Sequence, residues 1–502
     1  VNVQINGTGF IYNGWMLDGI DVTEYEQGGT NVQPNVDALA EFKELGANMP
    51  AIYGHTPNMV TATVKSGTNK FHGEVFDFIR NDAVDAHNYF ARTSKNILKR
   101  NQFGGTLGGP ILKDKLFFFA DFEQTRQSQG IVFNNTVATD AQRKGDYSSS
   151  AFKPINPLTG QRFPGDQVPI SAQAAFFLPF MPTKAQATFT APQSLIISKG
   201  DGKIDATLGR SDHLMGRYSI TDNVESDPNQ FPALKQQSLN SRAQNVAVTE
   251  AHTFGAKWLN QASFGLYRDI FLFSAILPGT NYLAGAGITG YEQTQINPSF
   301  PYITLSGYSS FNGSGSGSFP KSNRIRTWQY GDNMSYTAGK HEIQFGGQLY
   351  YQRHAFFNGQ EQEGQFNFTT KYSGDAFSDF LLGYPASVFR AYPLSLYGNT
   401  AYQWVGFAQD TWHASERLTL NIGLRYERNP FFNGINGQTS AFDYSNGKII
   451  VPMSNGKLLN PNAQPEIPLL LPLFSDRIEG TDSLGLPQSI RKTGPGQLAP
   501  RF

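Results

Sequence analysis

The sequence predicts a mainly β protein, a transmembrane antiparallel β-barrel preceded by a small N-terminal α+β domain. Two observations predict it: long segments alternate apolar and polar residues, and tight turns alternate along the chain with very long connections. Side chains on a strand point to opposite faces with period two, so each segment has one apolar and one polar face. Strands of roughly 9–11 residues cross a bilayer, and short turns opposite long loops are typical of outer-membrane barrels.

The segments 341–352 and 418–427 show this alternation most clearly. In HEIQFGGQLYYQ, the apolar and aromatic residues alternate with Glu342, Gln344 and Gln348. Because a barrel lumen accepts polar groups and lipid does not, the apolar face should point outward. We expect these residues to face lipid: Ile204, Leu208, Tyr218, Ile220, Phe345, Leu349, Tyr351, Leu420, Ile422 and Leu424.

Reading the whole chain for this alternation gives eleven strands. They lie near residues 71–80, 101–111, 116–126, 202–209, 213–223, 242–255, 259–272, 322–337, 341–356, 402–413 and 417–429. The tight turns are 112–115, 210–212, 256–258, 338–340 and 414–416. The long connections are 81–100, 127–201, 224–241, 273–321 and 357–401, and their Pro, Gly and Ser content is typical of loops.

The first 66 residues differ in kind from the rest. The stretch 37–45 has apolar residues at helical spacing behind Pro34 and predicts a helix, whereas 59–67 predicts a strand. A globular piece ahead of the first barrel strand is expected to fill the lumen as a plug. Its charged and amide groups should then meet lumen residues, namely Asp121, Glu123, Arg217 and Arg425.

A short helix is also expected within the long connection 357–401. Asp375 is a suitable N-cap, Phe377 and Phe380 share a face with Leu381, and Gly383 can end the helix. We interpret it as a helix that covers the barrel rim with its apolar face rather than as a binding element.

The composition agrees with a barrel and excludes several classes. Net charge is zero with 16% charged residues, so no nucleic-acid partner is expected. The chain has 40 Phe, 22 Tyr and 51 Gly, a mixture suited to strands, turns and aromatic girdles. It has no Cys, which excludes disulfides and thiolate metal sites. No stretch approaches 18 consecutive apolar residues, so a helical membrane span is not expected.

No enzyme, cofactor or metal site is expected. The eight His residues are dispersed and show no HExxH spacing, and no thiol nucleophile is present. The glycines Gly104, Gly105, Gly108 and Gly109 fit no phosphate-loop register, and Pro110 prevents a helix from beginning there. We interpret these glycines as small lumen-facing residues that make room for the plug.

Five segments resemble one known family. They are WMLDGIDVTE (15–24), PNVDALAEFKELGANMPAIYG (34–54), TVKSGTNKFHGEVFDFIRND (63–82), NQFGGTLGGPILKDKLFFFADFE (101–123) and LTLNIGLRYER (418–428). Together they look like TonB-dependent outer-membrane receptors of the Oar-like barrel group. The resemblance implies an outer-membrane location in a Gram-negative-type bacterium, a plug inside a 22-stranded barrel, and import of scarce nutrients with energy from the inner-membrane TonB complex.

Two departures from the family qualify this resemblance. After Tyr53 and Gly54 the family usually continues with a glycine-rich segment, whereas this chain has Pro57. The signal peptide, regulatory-like domain and TonB box of the family are not in the sequence. We therefore expect a fragment, with residues 1–66 as the C-terminal part of the plug and 67–502 as the first half of the barrel. Eleven strands cut from a larger barrel should form an open sheet, with free edges at strands 71–80 and 417–429.

The expected function is TonB-dependent uptake of a siderophore, glycan, peptide or vitamin, none of which the sequence singles out. A passive pore or a structural adhesin is the alternative, and the plug-like N-terminus favours gated transport over it. A soluble propeller would need equally spaced repeats, which the unequal loops lack. Candidate ligand contacts are the plug aromatics Trp15 and Tyr25 and the arginines Arg80 and Arg428.

Overall fold

A computed structural model describes the chain in eleven stretches. These are residues 4–9, 12–24, 28–46, 49–54, 56–86, 97–290, 298–311, 320–358, 363–390, 396–460 and 466–502. Strands dominate, and they form a small N-terminal sheet, a large antiparallel sheet and three short accessory sheets.

The N-terminal sheet has four strands in the order β2-β1-β4-β3. They are β1 (Asn13–Leu17), β2 (Ile20–Asp21), β3 (Leu39–Leu45) and β4 (Asn58–Val64). The predicted strand near 59–67 is confirmed as β4. The predicted helix at 37–45 is wrong, because only Val36–Ala38 forms a 3-10 turn and the following residues form β3. β3 pairs antiparallel with β4, and these interstrand hydrogen bonds replace those of a helix.

The large sheet contains thirteen strands, and we call it the wall. Its first seven are β5 (His72–Asn81), β6 (Leu98–Leu112), β7 (Leu116–Asn134), β8 (Thr188–Leu208), β9 (Asp212–Pro228), β10 (Gln236–Phe254) and β11 (Trp258–Phe273). Its next strands are β13 (Lys321–Ala338), β14 (His341–Asn358), β17 (Tyr397–Ser415), β18 (Leu418–Arg428) and β19 (Asn433–Gly434). Three short strands lie between these in the sequence and form a separate sheet, namely β12 (Tyr302–Leu305), β15 (Gln365–Phe368) and β16 (Ser387–Phe389).

The remaining strands are short. They are β20 (Ala441–Asp443), β21 (Lys448–Val451), β22 (Met453–Ser454), β23 (Lys457–Leu458), β24 (Ile478–Gly480) and β25 (Gln497–Arg501). The α-helices are α1 (Ala172–Phe177), α2 (Tyr282–Gly285), α3 (Ala376–Leu382) and α4 (Glu466–Phe474). None of the helices in the described residues has both the length and the apolar character that a membrane crossing requires.

All eleven predicted strands and all five tight turns are present in the wall. Every main strand pairs antiparallel with its neighbour in sequence, from β5 through to β18. Antiparallel neighbours put all tight turns at one end of the sheet and all long connections at the other. The end with the long connections is called the loop end below, and the opposite end the turn end.

The prediction about the sheet edges is half right. Within the described residues β5 pairs only with β6, and no pairing joins β5 to β18, so the sheet is open. The expected free edge at 417–429 is wrong, because β25 pairs with β18 from Gly423↔Arg501 to Glu427↔Gln497. β25 was missed because it is short and contains Pro500, a residue that strands tolerate mainly at sheet edges.

The two faces of the wall differ as predicted. Ile204, Leu208, Ile422 and Leu424 lie exposed on the face turned away from the N-terminal sheet, where lipid would cover them.

The interpretation of the four glycines at 104, 105, 108 and 109 as lumen-facing residues needs correction. Register places Gly105 with outward Phe122, and Gly109 with Phe118, whereas Gly104 and Gly108 lie on the lumen face. Gly108 and Gly109 both approach the plug junction closely, since a Cβ on Gly108 would lie 3.5 Å from the Cα of Gly67 and a Cβ on Gly67 would lie 2.7 Å from the carbonyl oxygen of Gly109.

Candidate functional site at the contact of the N-terminal sheet with the wall

A tight hairpin carries the N-terminal sheet into the wall. β1 and β2 are joined by Asp18 and Gly19, whose φ angles of 48° and 78° are both positive. Two-residue hairpins prefer this left-handed geometry, and Asp-Gly is one of the few dipeptides that adopt it easily. The turn therefore fixes the backbone of Asp18 and projects its carboxylate out of the small sheet.

Asp18 forms buried ion pairs with two cations of the wall. Its carboxylate lies 2.7 Å from Nε of Arg217 on β9 and 3.2 Å from Nζ of Lys203 on β8. The side chains of Asp18, Arg217 and Lys203 are 3%, 0% and 5% exposed, so water screens these charges little. Backbone contacts reinforce them, because Arg217 donates to Leu17 O at 3.1 Å and Lys203 to Val64 O at 2.9 Å.

Arg217 also has partners within the wall. It donates to Ser219 and, at 2.5 Å, to Asn245, and its guanidinium lies 3.9 Å from Asp201. These three groups belong to the wall and contact the guanidinium in addition to Asp18. Arg217 and Lys203 together form a cationic socket in the wall, and Asp18 fits into it.

A second contact lies on β18, near the edge of the wall opposite β5. Arg425 on β18 is 1% exposed and donates to the carbonyl oxygens of Ala51 and Ile52, both at 3.0 Å. The backbone passes so close that a Cβ on Gly54 would lie 1.9 Å from Nε of Arg425. Gly54 is therefore required by this packing.

Single hydrogen bonds connect the rest of the N-terminal segment to intermediate strands of the wall. They are Asp21 N to Gln329 (2.9 Å), Asn31 to Asp269 (2.7 Å), Gln33 N to Thr221 (3.0 Å) and Ala51 N to Gln409 (2.6 Å). The described residues of the segment are therefore bonded to six strands of the wall, on its polar face.

Apolar packing fills the space between these polar contacts. Leu17, Val22 and Val64 of the N-terminal sheet share a buried cluster with Phe119 and Tyr267 of the wall. Ile20 packs beside it against Met215 and Ala247, and a Cβ at Gly265 would lie 2.4 Å from Ile20 Cγ2.

The expectation that residues 1–66 lie against the polar side of the wall and meet Arg217 and Arg425 is met. Glu123, also expected there, pairs instead with Lys199 of the neighbouring strand at 3.5 Å.

The candidate ligand contacts do not converge on one site. Trp15 is half-buried and packs against the apolar cluster beneath the N-terminal sheet. Arg80 on β5 pairs with Asp85 at 3.0 Å, and Arg428 is exposed at the end of β18, so these two arginines lie near opposite edges of the wall. Tyr25 lies outside the described residues. A ligand role for these four residues stays a prediction.

The long connections form a second structured region, which the sequence did not predict. Segments from four connections share one apolar core, which includes Phe177, Phe231, Phe300, Phe311, Phe377 and Phe380. We call this region the loop module. The predicted helix at 376–382 is confirmed as α3, with Asp375 as N-cap and Gly383 in the left-handed conformation. Its apolar face packs inside the loop module, beside a cavity of about 170 Å³ lined by Phe177, Ile303, Phe366 and Phe380.

Two tyrosines and one carboxylate fasten the loop module. Tyr147 donates to Asp375 at 2.8 Å and Tyr308 donates to the other carboxylate oxygen at 3.2 Å. Burial, with a smaller contribution from Asp375, raises the pKa of Tyr308 to about 12, and burial raises the pKa of Tyr147 as well. Both phenols therefore stay protonated and donate throughout the physiological range.

One group of residues has the spacing of a cation site. Ligand-type atoms of Asp212, Glu250 and His252 lie within 4.8 Å of one another on the outward face at the turn end. His252 and Asp212 are directly opposite in register, and their ring nitrogen and carboxylate already bond to each other at 2.5 Å. The three side chains are half-exposed.

The outward apolar face, the polar lumen face and the docked N-terminal sheet together define an outer-membrane barrel protein. Residues 63–502 match the family described as outer membrane beta barrel domain, and the chain belongs to this family. It is therefore a protein of the cell outer membrane, as predicted.

Known relatives agree with the family and with the predicted resemblance. A 129-residue segment is 35% identical to the TonB-dependent transporter Oar of Myxococcus xanthus, covering 24% of this chain and 12% of that protein. The outer membrane transporter YddB of Escherichia coli shares the fold, with a TM-score of 0.53 and 10% identity over 86% of this chain and 51% of its own. The ferric enterobactin receptor of Pseudomonas aeruginosa matches with a TM-score of 0.47 and 11% identity, over 86% of this chain and 52% of its own. The chain thus covers about half the length of these two solved structures.

Proposed function

We propose that this chain is part of a TonB-dependent receptor that takes up a scarce, large nutrient through a plugged barrel. The observation that carries the proposal is the buried docking of Asp18 into the cationic socket of Arg217 and Lys203. A wide barrel otherwise leaves an aqueous channel, and a domain docked on the lumen face closes it. In this proposal residues 1–66 are the plug and 67–502 the barrel half that receives it.

The character of the contact favours a plug that is held firmly and can still be moved. Buried ion pairs contribute little net stability when intact but cost several kcal/mol when one partner is lost. Such a contact resists spontaneous opening. It can be released only by work, which is what an energised step from the inner-membrane TonB complex would supply. That complex would act through a TonB box.

The loop module is the proposed entrance. It stands at the loop end of the wall, has its own buried core, and contains an apolar cavity. A siderophore, glycan, peptide or vitamin is the proposed range of ligands. Arg80, Arg428, Trp15 and Tyr25 stay as candidate contacts on the path.

Deleting residues 1–66 from the full-length protein tests the proposal. Planar-bilayer conductance should be low for the intact protein and high and constitutive for the deletion. Uptake of ligand at nanomolar concentration should be lost in the deletion, and also in a host that lacks TonB but carries the intact protein.

The alternative functions give different results in the same experiment. Equal low conductance of both proteins would indicate a structural or adhesin barrel, because residues 1–66 would not gate anything. Equal high conductance with TonB-independent uptake would indicate a passive pore. A folded deletion barrel, verified by heat-modifiable gel mobility, is the control in both cases.

A further inference from the structure

The outward face of the wall carries a row of arginines that form no ion pair with the described residues of the chain. Arg268 on β11, Arg326 on β13 and Arg353 on β14 are direct cross-strand neighbours, since Arg268 pairs with Arg326 and Arg326 with Arg353. Arg324 is exposed one outward position further toward the loop end. We call these four residues the arginine row. Like charges directly opposite one another on a sheet are destabilising, so the row requires an explanation.

The arginine row lies on the lipid face and not in the lumen. Each arginine alternates with residues that face the N-terminal sheet: Arg268 stands between the buried Tyr267 and Asp269, and Arg326 between the buried Ile325 and Thr327. Period-two alternation puts the arginines on the opposite face. Arg326 and Arg353 are exposed, and Arg268 is half-buried.

Within the part of the chain that the structure describes, no acidic side chain pairs with the arginine row. Arg268 donates to the neutral side chain of Gln244, and Arg242 nearby has its own carboxylate partner in Asp222. Among the residues that the structure describes, no ion pair is formed by Arg326 or Arg353, nor by Arg324. The positive charge is therefore available to an external anion.

Height along the strands places the arginine row at the outer leaflet. One outward position closer to the turn end, Trp328, Tyr351 and Tyr402 form a stacked aromatic row, with ring centroids 5.2 and 4.7 Å apart. Aromatic rows of this kind mark the boundary of the apolar band. Arg326 lies twelve residues before the last residue of β13, Ala338, at the turn end. At the usual rise and a 45° tilt this is roughly 28 Å, about the height of the band, so the guanidinium groups reach the headgroup phosphates of the outer leaflet.

We propose that the arginine row binds the headgroup of an outer-leaflet glycolipid that carries two phosphates. Neighbouring strands are about 4.8 Å apart, so Arg268, Arg326 and Arg353 span roughly 10 Å of the sheet. A single phosphate would reach only part of that span, whereas a diphosphorylated disaccharide covers it. Guanidinium groups bind phosphate through paired hydrogen bonds, and the bound anion removes the repulsion between the arginines.

The test uses the full-length protein, purified without lipid and titrated with diphosphoryl lipid A in detergent. The test variant combines Arg268→Gln, Arg326→Gln and Arg353→Gln. A matched control combines Arg210→Gln, Lys257→Gln and Arg417→Gln, which remove three exposed charges from the tight turns at the opposite end. Native mass spectrometry measures binding.

The test variant should bind lipid A roughly 100-fold more weakly than the wild type, about fivefold for each arginine, and the control should bind as the wild type does. Dephosphorylated lipid A should not distinguish the three proteins. Equal affinity of wild type and test variant would overturn the proposal. Phosphatidylglycerol bound as tightly as lipid A would overturn it too, because a single phosphate would then suffice.

Thermal unfolding separates binding from a purely structural role. Without lipid A, the test variant should unfold at the same temperature as the wild type or higher, because repulsion has been removed. With lipid A, the wild type should gain stability and the test variant should not. A test variant that is less stable than the wild type under both conditions would show that the arginines stabilise the sheet by themselves, and the proposal would be wrong.

Discussion

The substitution Asp18→Asn gives the sharpest test of how the N-terminal sheet is held. Asparagine adopts the left-handed conformation of this turn as readily as aspartate, so the β1–β2 hairpin should keep its shape. Only the negative charge between Arg217 and Lys203 is removed. Two cations that are 0% and 5% exposed then lose their common partner, and removal of one member of a buried ion pair costs about 3–5 kcal/mol.

The lower end of that range applies, because Arg217 keeps Asp201 at 3.9 Å and its bond to Leu17 O. A loss of about 3 kcal/mol corresponds to a roughly 150-fold rise in the population of undocked plug, since about 1.4 kcal/mol is a factor of ten. Hydrogen–deuterium exchange of the peptide that contains β1 and β2 should accelerate by this factor in the full-length protein. Planar-bilayer recordings should show more frequent openings.

Two further variants make this prediction decisive. Asp140→Asn changes an exposed aspartate in the loop module and should leave exchange of the hairpin unaltered. Combining Asp18→Asn with Lys203→Gln should cost less than the sum of the two single changes, because each removes the same ion pair. Exchange of the Asp18→Asn hairpin at the wild-type rate would refute the argument that the socket holds the plug.

Three other changes have defined outcomes. Ile422→Arg on the lipid face should lower the unfolding free energy of the barrel in vesicles by roughly 2–4 kcal/mol, whereas Asn421→Arg on the lumen face should have little effect. Gly54→Ala should displace the segment from Arg425, because the new Cβ would lie 1.9 Å from Nε, and exchange of residues 49–54 should rise while the barrel stays folded. The loop module should be stable up to about pH 10 and lose stability from there to about pH 12. The reason is that tyrosine in the unfolded chain releases its proton near pH 10, whereas folded Tyr308 retains its proton to about pH 12. Tyr308→Phe should reduce this loss of stability, measured by proteolysis as a function of pH.

Each of these changes has a result that would contradict it. Equal loss of stability for the two arginine variants would contradict the assignment of faces, and a larger loss for Asn421→Arg would reverse it. For Gly54→Ala the control is Gly202→Ala, a position with no atom within 4 Å of the new Cβ, and equal exchange in both would contradict the packing argument. Alkaline sensitivity that is unchanged in the Phe variant would mean that Tyr308 does not fasten the loop module.

The sequence predicted the wall well because its signal is local and long. The segment 341–352 of β14 alternates without a break, and the preceding strand β13 ends at Ala338, three residues before β14 begins, so strand, turn and pairing partner are all adjacent in the chain. The stretch 37–45 shows the limit of that signal. Its nine residues at helical spacing are also compatible with a strand, and the deciding factor, β4, lies elsewhere in the sequence.

The site was only partly predictable for the same reason. Arg217 and Arg425 were identifiable as polar-face residues on apolar strands, and both contact the N-terminal segment. Asp18 was visible as half of an Asp-Gly turn, but its partners are about 200 residues away and no local pattern points to them. The loop module was missed because its aromatic residues are scattered over four connections, each of which alone has the composition of an unstructured loop.

The common core of the loop module affects how such a protein can change its specificity. Barrel loops are usually regarded as independent units that can be exchanged one at a time. In this chain Phe177, Phe231, Phe311 and Phe377 come from four different connections and bury one another. A single connection transplanted into another barrel would lack its packing partners there. Its removal from this chain would leave a cavity among the other three connections. Variation at this surface should therefore spread as coordinated sets of substitutions, and engineering a new specificity would require the four segments to be moved together.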